Sequence, residues 1–376
     1  MPMLAPIFAI FVYGSIAAML GTILPALSAR FHLTPKQNGN IALAQAIGLV
    51  IASVSAGPLI DSQGYKTGLV LGLAAAATAL FLLPGSKSYA SVLLCLFLLG
   101  LGGGTIVTGA NALAFDLGGS QRAAALNFLN VFFGLGGLAT PFVLANLLRG
   151  NSTRLCYLTA VACAATLAVN ASVTMPAARS AGGIALSEAG KLLGHPALWL
   201  LSAMLFLYVA CEVGVWNWLT RHLIAQGISE VRALNILSLG FALGLLLGRV
   251  AVAPAFKTMR PETVTLVAAV LMTITTWLAL QARRPAMAWV AVFCAGVAMA
   301  PVFPTVLAIA GNVFGPAKAT AMGIVAMFGW IGLAVSSPII GAIGGDDPRR
   351  LKKALLILPA SSALMIVVNL VLRSAI

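Results

Sequence analysis

With 376 residues, 61% of them hydrophobic and only 8% charged, the chain lies far from soluble domains, in which about a quarter of residues are charged. The formal charge of +14 is scattered, one to four Lys or Arg at a time, between apolar runs. No basic stripe forms, which excludes nucleic acid as a partner. Apolar stretches recur at about the 20-residue length that crosses a hydrocarbon core, so an integral, multi-pass protein surrounded by membrane lipids is predicted.

Twelve spans are predicted, over 4–28, 37–60, 68–84, 90–115, 122–148, 155–175, 196–220, 231–253, 263–281, 287–309, 319–343 and 353–373. The start lacks a charged n-region and a small-residue cleavage site, so span 1 is read as a first crossing and not a removed signal peptide. Span 2 carries Gln45, span 4 carries Asn111, and span 5 opens on Arg122 and places Asn127 and Asn130 at i and i+3 on one face. The longest polar interval follows span 6. It predicts an N-terminal six-helix bundle over 1–175, a linker over 176–195 and a C-terminal six-helix bundle over 196–376.

Span 7 holds Glu212, the one acid clearly inside a span, in YVACEVGVWNW. Tyr208, Glu212 and Trp216 fall at i, i+4 and i+8, on one helical face, with Asn217 and Trp218 beside it. A charge in hydrocarbon costs several kcal/mol, so an intramembrane acid marks a functional site by default. The structural alternative is an ion pair with Arg221 or Arg249. Pro301 and Pro304 interrupt span 10, and Trp330 lies in span 11.

Two sets of glycines predict close helix packing, Gly240, Gly244 and Gly248 in span 8 and Gly100 with Gly104 in span 4. Span 5 and span 11 align as repeats: each has a basic residue at its start, then Phe-Gly, then Gly, then Pro. Six spans separate them, so the copies run in the same direction, a plan that places a transport site near the midplane between parallel halves. The five cysteines lie in apolar segments without metal spacing and read as buried apolar residues.

The loop between spans 2 and 3 reads GPLIDSQGYKTG, Gly57 to Gly68. It resembles the signature loop of the major facilitator superfamily, written G-x-L-x-D-R-x-G-R-[KR], at Gly57, Leu59, Asp61, Gly64 and Lys66. Ser62 and Tyr65 stand where basic residues are usual. The resemblance implies an all-α fold of twelve transmembrane helices in two six-helix bundles that rock about a central site. It also implies that Asp61, with Gly64, Lys66 and Arg122, forms a gate. A carboxylate at a helix end can cap a neighbouring helix N-terminus and pair with a cation. The signature puts both termini in the cytoplasm, against the positive-inside rule, because Arg349, Arg350, Lys352 and Lys353 then fall outside.

More narrowly, ANALAFDLGGSQRAAALNFLNVFFGLGGLATP, EVGVWNWL and PVFPTVLAIAG are similar to stretches of the fucose:proton symporter family. That family uses embedded carboxylates in spans 1 and 4. Here span 1 has none and the matching place in span 4 is Val107.

Amides donate to and accept from hydroxyls, and indole faces stack on the apolar faces of sugar rings. The expected site is therefore Gln45, Asn111, Asn127, Asn130, Tyr208, Glu212, Trp216, Asn217 and Trp330, binding a small neutral hydroxylated solute, above all a monosaccharide. Glu212 would couple to a proton, or the coupling ion would be sodium. A sugar uniporter and an exporter of amphipathic or cationic compounds, such as drugs or lipids, are the alternatives. No enzyme motif, cofactor or metal is expected, and a monomer in a bacterial inner membrane is the anticipated setting.

Overall fold

The computed structural model describes residues 3–33, 35–176, 192–344 and 347–376, and these are almost wholly helical. Most of the linker predicted over 176–195 lies outside the described residues. Eleven described helical stretches are long and apolar enough to cross a membrane. Span 1, Leu4–Phe31, is a further helix of 28 residues whose Leu4–Leu20 stretch is apolar.

The predicted spans match these helices, with differences that have local causes. Span 2 runs Pro35–Gln63 and span 3 Tyr65–Leu82, separated by Gly64, whose φ of 91° lets the chain turn at once. Span 7 extends to Ala225, because Arg221 and His222 still fit the helix at its polar end. Span 8 is broken into Glu230–Asn235, a π-helical turn Ile236–Ala242 and Leu243–Ala251. Span 5, Arg122–Phe142, also ends in a π turn, Val143–Leu147. Span 10 is interrupted before Val302, next to Pro301, between Pro285–Met299 and Val302–Phe314. Span 11 is Lys318–Gly344, and span 12 is a short Pro348–Ala354 followed by Ile357–Ala375.

Packing divides the chain into two compact units. The first comprises residues 1–125, 129–193 and 314–327, and the second 126–128, 194–313 and 328–376. The start of span 11 thus packs within the first unit.

The repeat seen in spans 5 and 11 extends to spans 2 and 4 and spans 8 and 10, where it runs at an offset of 196 residues. In the first unit, spans 2 and 4 meet at Gly48 and Gly100. A Cβ on Gly48 would lie 2.3 Å from the Phe97 carbonyl oxygen, and one on Gly100 2.1 Å from that of Gln45. In the second unit, spans 8 and 10 meet at Gly244 and Gly296, where the same atoms would approach the Phe293 and Phe241 carbonyls, each to 2.4 Å. All four positions pair at that offset: 48 with 244, 100 with 296, 97 with 293 and 45 with 241. With no water in the hydrocarbon core to drive helices together, such contacts rest on close packing of backbones, which small residues permit. Span 5 also crosses span 1 at Gly136 over Phe11, and span 11 crosses span 7 at Gly332 over Phe206.

One expectation about the cysteines is corrected. Cys95, Cys156, Cys163 and Cys211 are buried, but Cys294 is exposed. It sits in span 10 between the contacts made by Phe293 and Gly296 and so faces away from span 8.

Candidate functional site

In the first unit, the loop residues form a junction between the end of span 2 and the start of span 11. Asp61, 8% exposed, lies two residues from the C-terminus of its own helix, where the helix dipole opposes a negative charge. Span 11 supplies what offsets this. The Thr320 amide, one of the N-terminal donors that no helix can satisfy internally, donates to Asp61 Oδ2 at 3.0 Å. The Thr320 hydroxyl donates to the same oxygen at 2.7 Å. The approach is possible because position 57 lacks a side chain: a Cβ there would lie 2.4 Å from Thr320 Cα. One turn deeper, Gly323 rests on the Ser53 carbonyl, 2.0 Å from where its own Cβ would be.

Beside this cap, Lys318 forms a salt bridge to Asp116 at the end of span 4, with the two side chains only 3% and 9% exposed. The Tyr65 hydroxyl donates to the other Asp116 oxygen at 2.6 Å. Tyr65, which replaces a usual basic residue of the loop, thus keeps a role as donor while span 11 supplies the cation. The Lys318 ammonium and the Arg122 guanidinium both approach the Phe115 ring, at 6.0 and 4.7 Å. Lys66 instead donates to the Ala171 carbonyl at 2.7 Å, at the C-terminal end of span 6. Asp116, Lys318 and Thr320 were not singled out from the sequence. A lone acid and a lone lysine at span ends read there as ordinary solvated loop charges.

The amides are brought together in part. Asn130 Nδ2 lies 3.4 Å from Asn111 Oδ1, and the Asn111 amide nitrogen donates back to the Val107 carbonyl of its own helix at 2.7 Å. Both belong to the first unit and are buried. Asn127, although on the same face of span 5, packs with the second unit, where its Nδ2 donates to Thr305 Oγ1 at 3.2 Å. Thr305 follows the proline pair of span 10 and is wholly buried. Gln45 is 8% exposed, with its main chain under Gly100.

In the second unit, Tyr208 is fully buried, Glu212 is partly accessible and Trp216 is 38% exposed. This gradient runs along the predicted face of span 7. The Tyr208 hydroxyl and the Trp216 indole, one turn before and one turn after it, are the polar side chains that act on the Glu212 carboxylate, and the charge it feels most is that of Arg249. Arg249 is buried in span 8 at 6% exposure. The other candidate, Arg221, stacks at 5.8 Å over Trp218. Trp216 meets Phe241 edge-on at 5.1 Å, and Phe241 belongs to the π turn of span 8, so the irregular backbone serves this cluster directly. Asn217 is exposed beside it. Trp330 pairs with Phe303 at 6.3 Å.

Comparisons with known proteins agree with this architecture. Among solved structures, the transporter FucP in its outward conformation superimposes with a TM-score of 0.86 at 19% identity, covering 99% of this chain and 98% of that one. The N162A form, described as the E. coli fucose:proton symporter, gives 0.83 at 20% identity and 98% of each chain. At these identities the likeness concerns the fold. The glucose/galactose transporter of Brucella abortus is 29% identical over 243 residues, 59% of this chain and 59% of that protein. Bypass of stop codon protein 6 of Saccharomyces cerevisiae is 25% identical over 268 residues, 63% of this chain and 53% of that one. The chain therefore spans little more than half the length of these curated relatives. A family model described as Major Facilitator Superfamily matches residues 7–370, and the chain belongs to that superfamily.

Proposed function

We propose that the chain is a secondary transporter that carries a small neutral hydroxylated solute, a monosaccharide above all, by alternating access. Glu212 is its coupling and binding group. The observation that carries this reading is that Glu212, deep within the apolar helix of span 7, is partly accessible beside an exposed indole, and that the buried Arg249 is the charge it feels most. Trp216 offers a face for a sugar ring, and Glu212 and Asn217 offer hydrogen-bonding partners for its hydroxyls. The names of the Brucella and E. coli relatives point to the same solute class.

In this reading Asp61, capping span 11 through Thr320, is a latch. Its release frees the start of span 11 from span 2, and the Asp116–Lys318 pair reinforces it. The domains of the transport cycle are the six-helix halves 1–175 and 196–376. Export of cationic compounds fits less well, since Arg249 already compensates the charge that would select a cation.

Uptake of radiolabelled glucose, galactose and fucose into proteoliposomes tests the proposal. Saturable uptake that is driven by a proton gradient is expected. Glu212→Gln should retain solute exchange but lose gradient-driven accumulation. Absence of saturable uptake for every sugar, or undiminished accumulation by Glu212→Gln, refutes it.

A further inference from the structure

We infer that the second unit carries a binding groove for an anionic phospholipid, formed where span 8 unwinds. Spans 8, 9 and 10 enclose a cavity of about 270 Å³ whose lining includes Ala255, Met259, Val264, Val267, Leu271 and Val297. Every residue that lines it is apolar, so it offers no side-chain partner to a hydroxylated solute and suits hydrocarbon. Val267 and Leu271 are 43% and 45% exposed, which opens the groove along the lipid-facing side of span 9, Pro261–Gln281.

The internal repeat explains why the groove exists. In the first unit the helix of span 2 continues to Gln63. In the second, the helix of span 8 ends at Ala251 and the chain proceeds as a 3-10 turn, Ala253–Lys257. Position 264 also differs. Its counterpart 196 residues earlier is Gly68, where a Cβ would lie 2.5 Å from the Ile60 side chain. Spans 2 and 3 are closed tightly there, whereas Val264 faces the cavity.

Charge changes along with shape. The position that carries the capping Asp61 in the first unit is Lys257 in the second. Lys257 and Arg260 are both exposed and flank the lining residues Ala255 and Met259, and Glu262, half-buried, is the one acid in this stretch. An acyl chain in the groove would place its phosphate beside Lys257 and Arg260, which together outweigh Glu262. A basic residue near the bilayer surface is worth about fivefold in affinity for an anionic headgroup.

Native mass spectrometry of the detergent-purified protein, with phosphatidylglycerol and phosphatidylcholine of matched chains supplied together, tests the inference. The wild type should retain phosphatidylglycerol preferentially. Lys257→Gln with Arg260→Gln should reduce that preference by about fivefold for each charge removed while leaving the melting temperature unchanged. Ala251→Trp, which fills the exposed mouth, should lower retention of both lipids, and if it does not fold, Val267→Trp blocks the other wall. Equal retention of both lipids by the wild type, or a preference untouched by the charge substitutions, overturns the inference. Retention undiminished by the groove-filling variants, as for a loosely associated lipid shell or for a water-soluble amphipath held elsewhere, overturns it too.

Discussion

Removing the Asp61 carboxylate should open the junction between spans 2 and 11, and the structure sets the size of the effect. Two hydrogen bonds from Thr320, at 3.0 and 2.7 Å, end on one carboxylate oxygen. Each bond to a charged group is worth about 1.5–3 kcal/mol net. Asp61→Ala therefore loses at least about 3 kcal/mol, and at about 1.4 kcal/mol per factor of ten this raises the open population about a hundredfold. Asp61→Asn keeps an acceptor in the same place and forfeits only the charge, and Thr320→Val forfeits only the hydroxyl bond. Both should give about a tenfold change. Ser53, fully buried beneath Gly323, is the reporter. With the exposed Cys294 replaced by Ser, the remaining native cysteines are buried, so Ser53→Cys can be followed with a membrane-impermeant maleimide. Labelling should accelerate in the order parent, Thr320→Val and Asp61→Asn, then Asp61→Ala. Equal rates for Asp61→Ala and its parent, both folded, would refute the latch.

The Asp116–Lys318 pair gives a second test. Because Lys318 is buried and Asp116 nearly so, at 3% and 9% exposure, Asp116→Asn or Lys318→Met alone should destabilise by up to about 3–5 kcal/mol, leaving an uncompensated charge. The double variant should cost less than the sum in thermal unfolding, whereas additive losses would mean that the two do not act as a pair. A third concerns the amides. Asn130→Leu should cost about 0.6–2 kcal/mol of stability through the lost contact with Asn111. It should also weaken solute binding in a ligand-induced melting shift. A loss of stability with binding unchanged would make the pair structural glue alone.

The spans were legible because hydrocarbon imposes a length and a composition on every crossing, and the loop signature pointed to Asp61. The π turns were not, since hydropathy carries no information about which backbone carbonyl an amide selects. Asp116 and Lys318 escaped for a different reason: they are 202 positions apart, and each looks alone like a charge at a span end. The repeat was visible in spans 5 and 11, where Phe, Gly and Pro coincide. In spans 2 and 8 it rests on single glycines and on main-chain carbonyls, so Gln45 and Phe241 occupy equivalent places with unlike side chains. Position alone offers two arginines to Glu212, and only packing shows that Arg249 is the charge it feels most, while Arg221 lies over Trp218.

The first unit closes on residues 314–327, and this has a consequence for biosynthesis. When Asp116 emerges from the ribosome, Lys318 is 202 residues away, which at about 5–20 residues per second amounts to about 10–40 s of further translation. Through that interval the newly inserted amino-terminal helices hold two acids whose span 11 partners do not yet exist, and Asp116 has the Tyr65 hydroxyl but no cation. A truncated chain ending in the polar interval after span 6 would never acquire them, so the amino-terminal half should be recognised by quality-control proteases when made alone and rescued when the remainder is co-expressed.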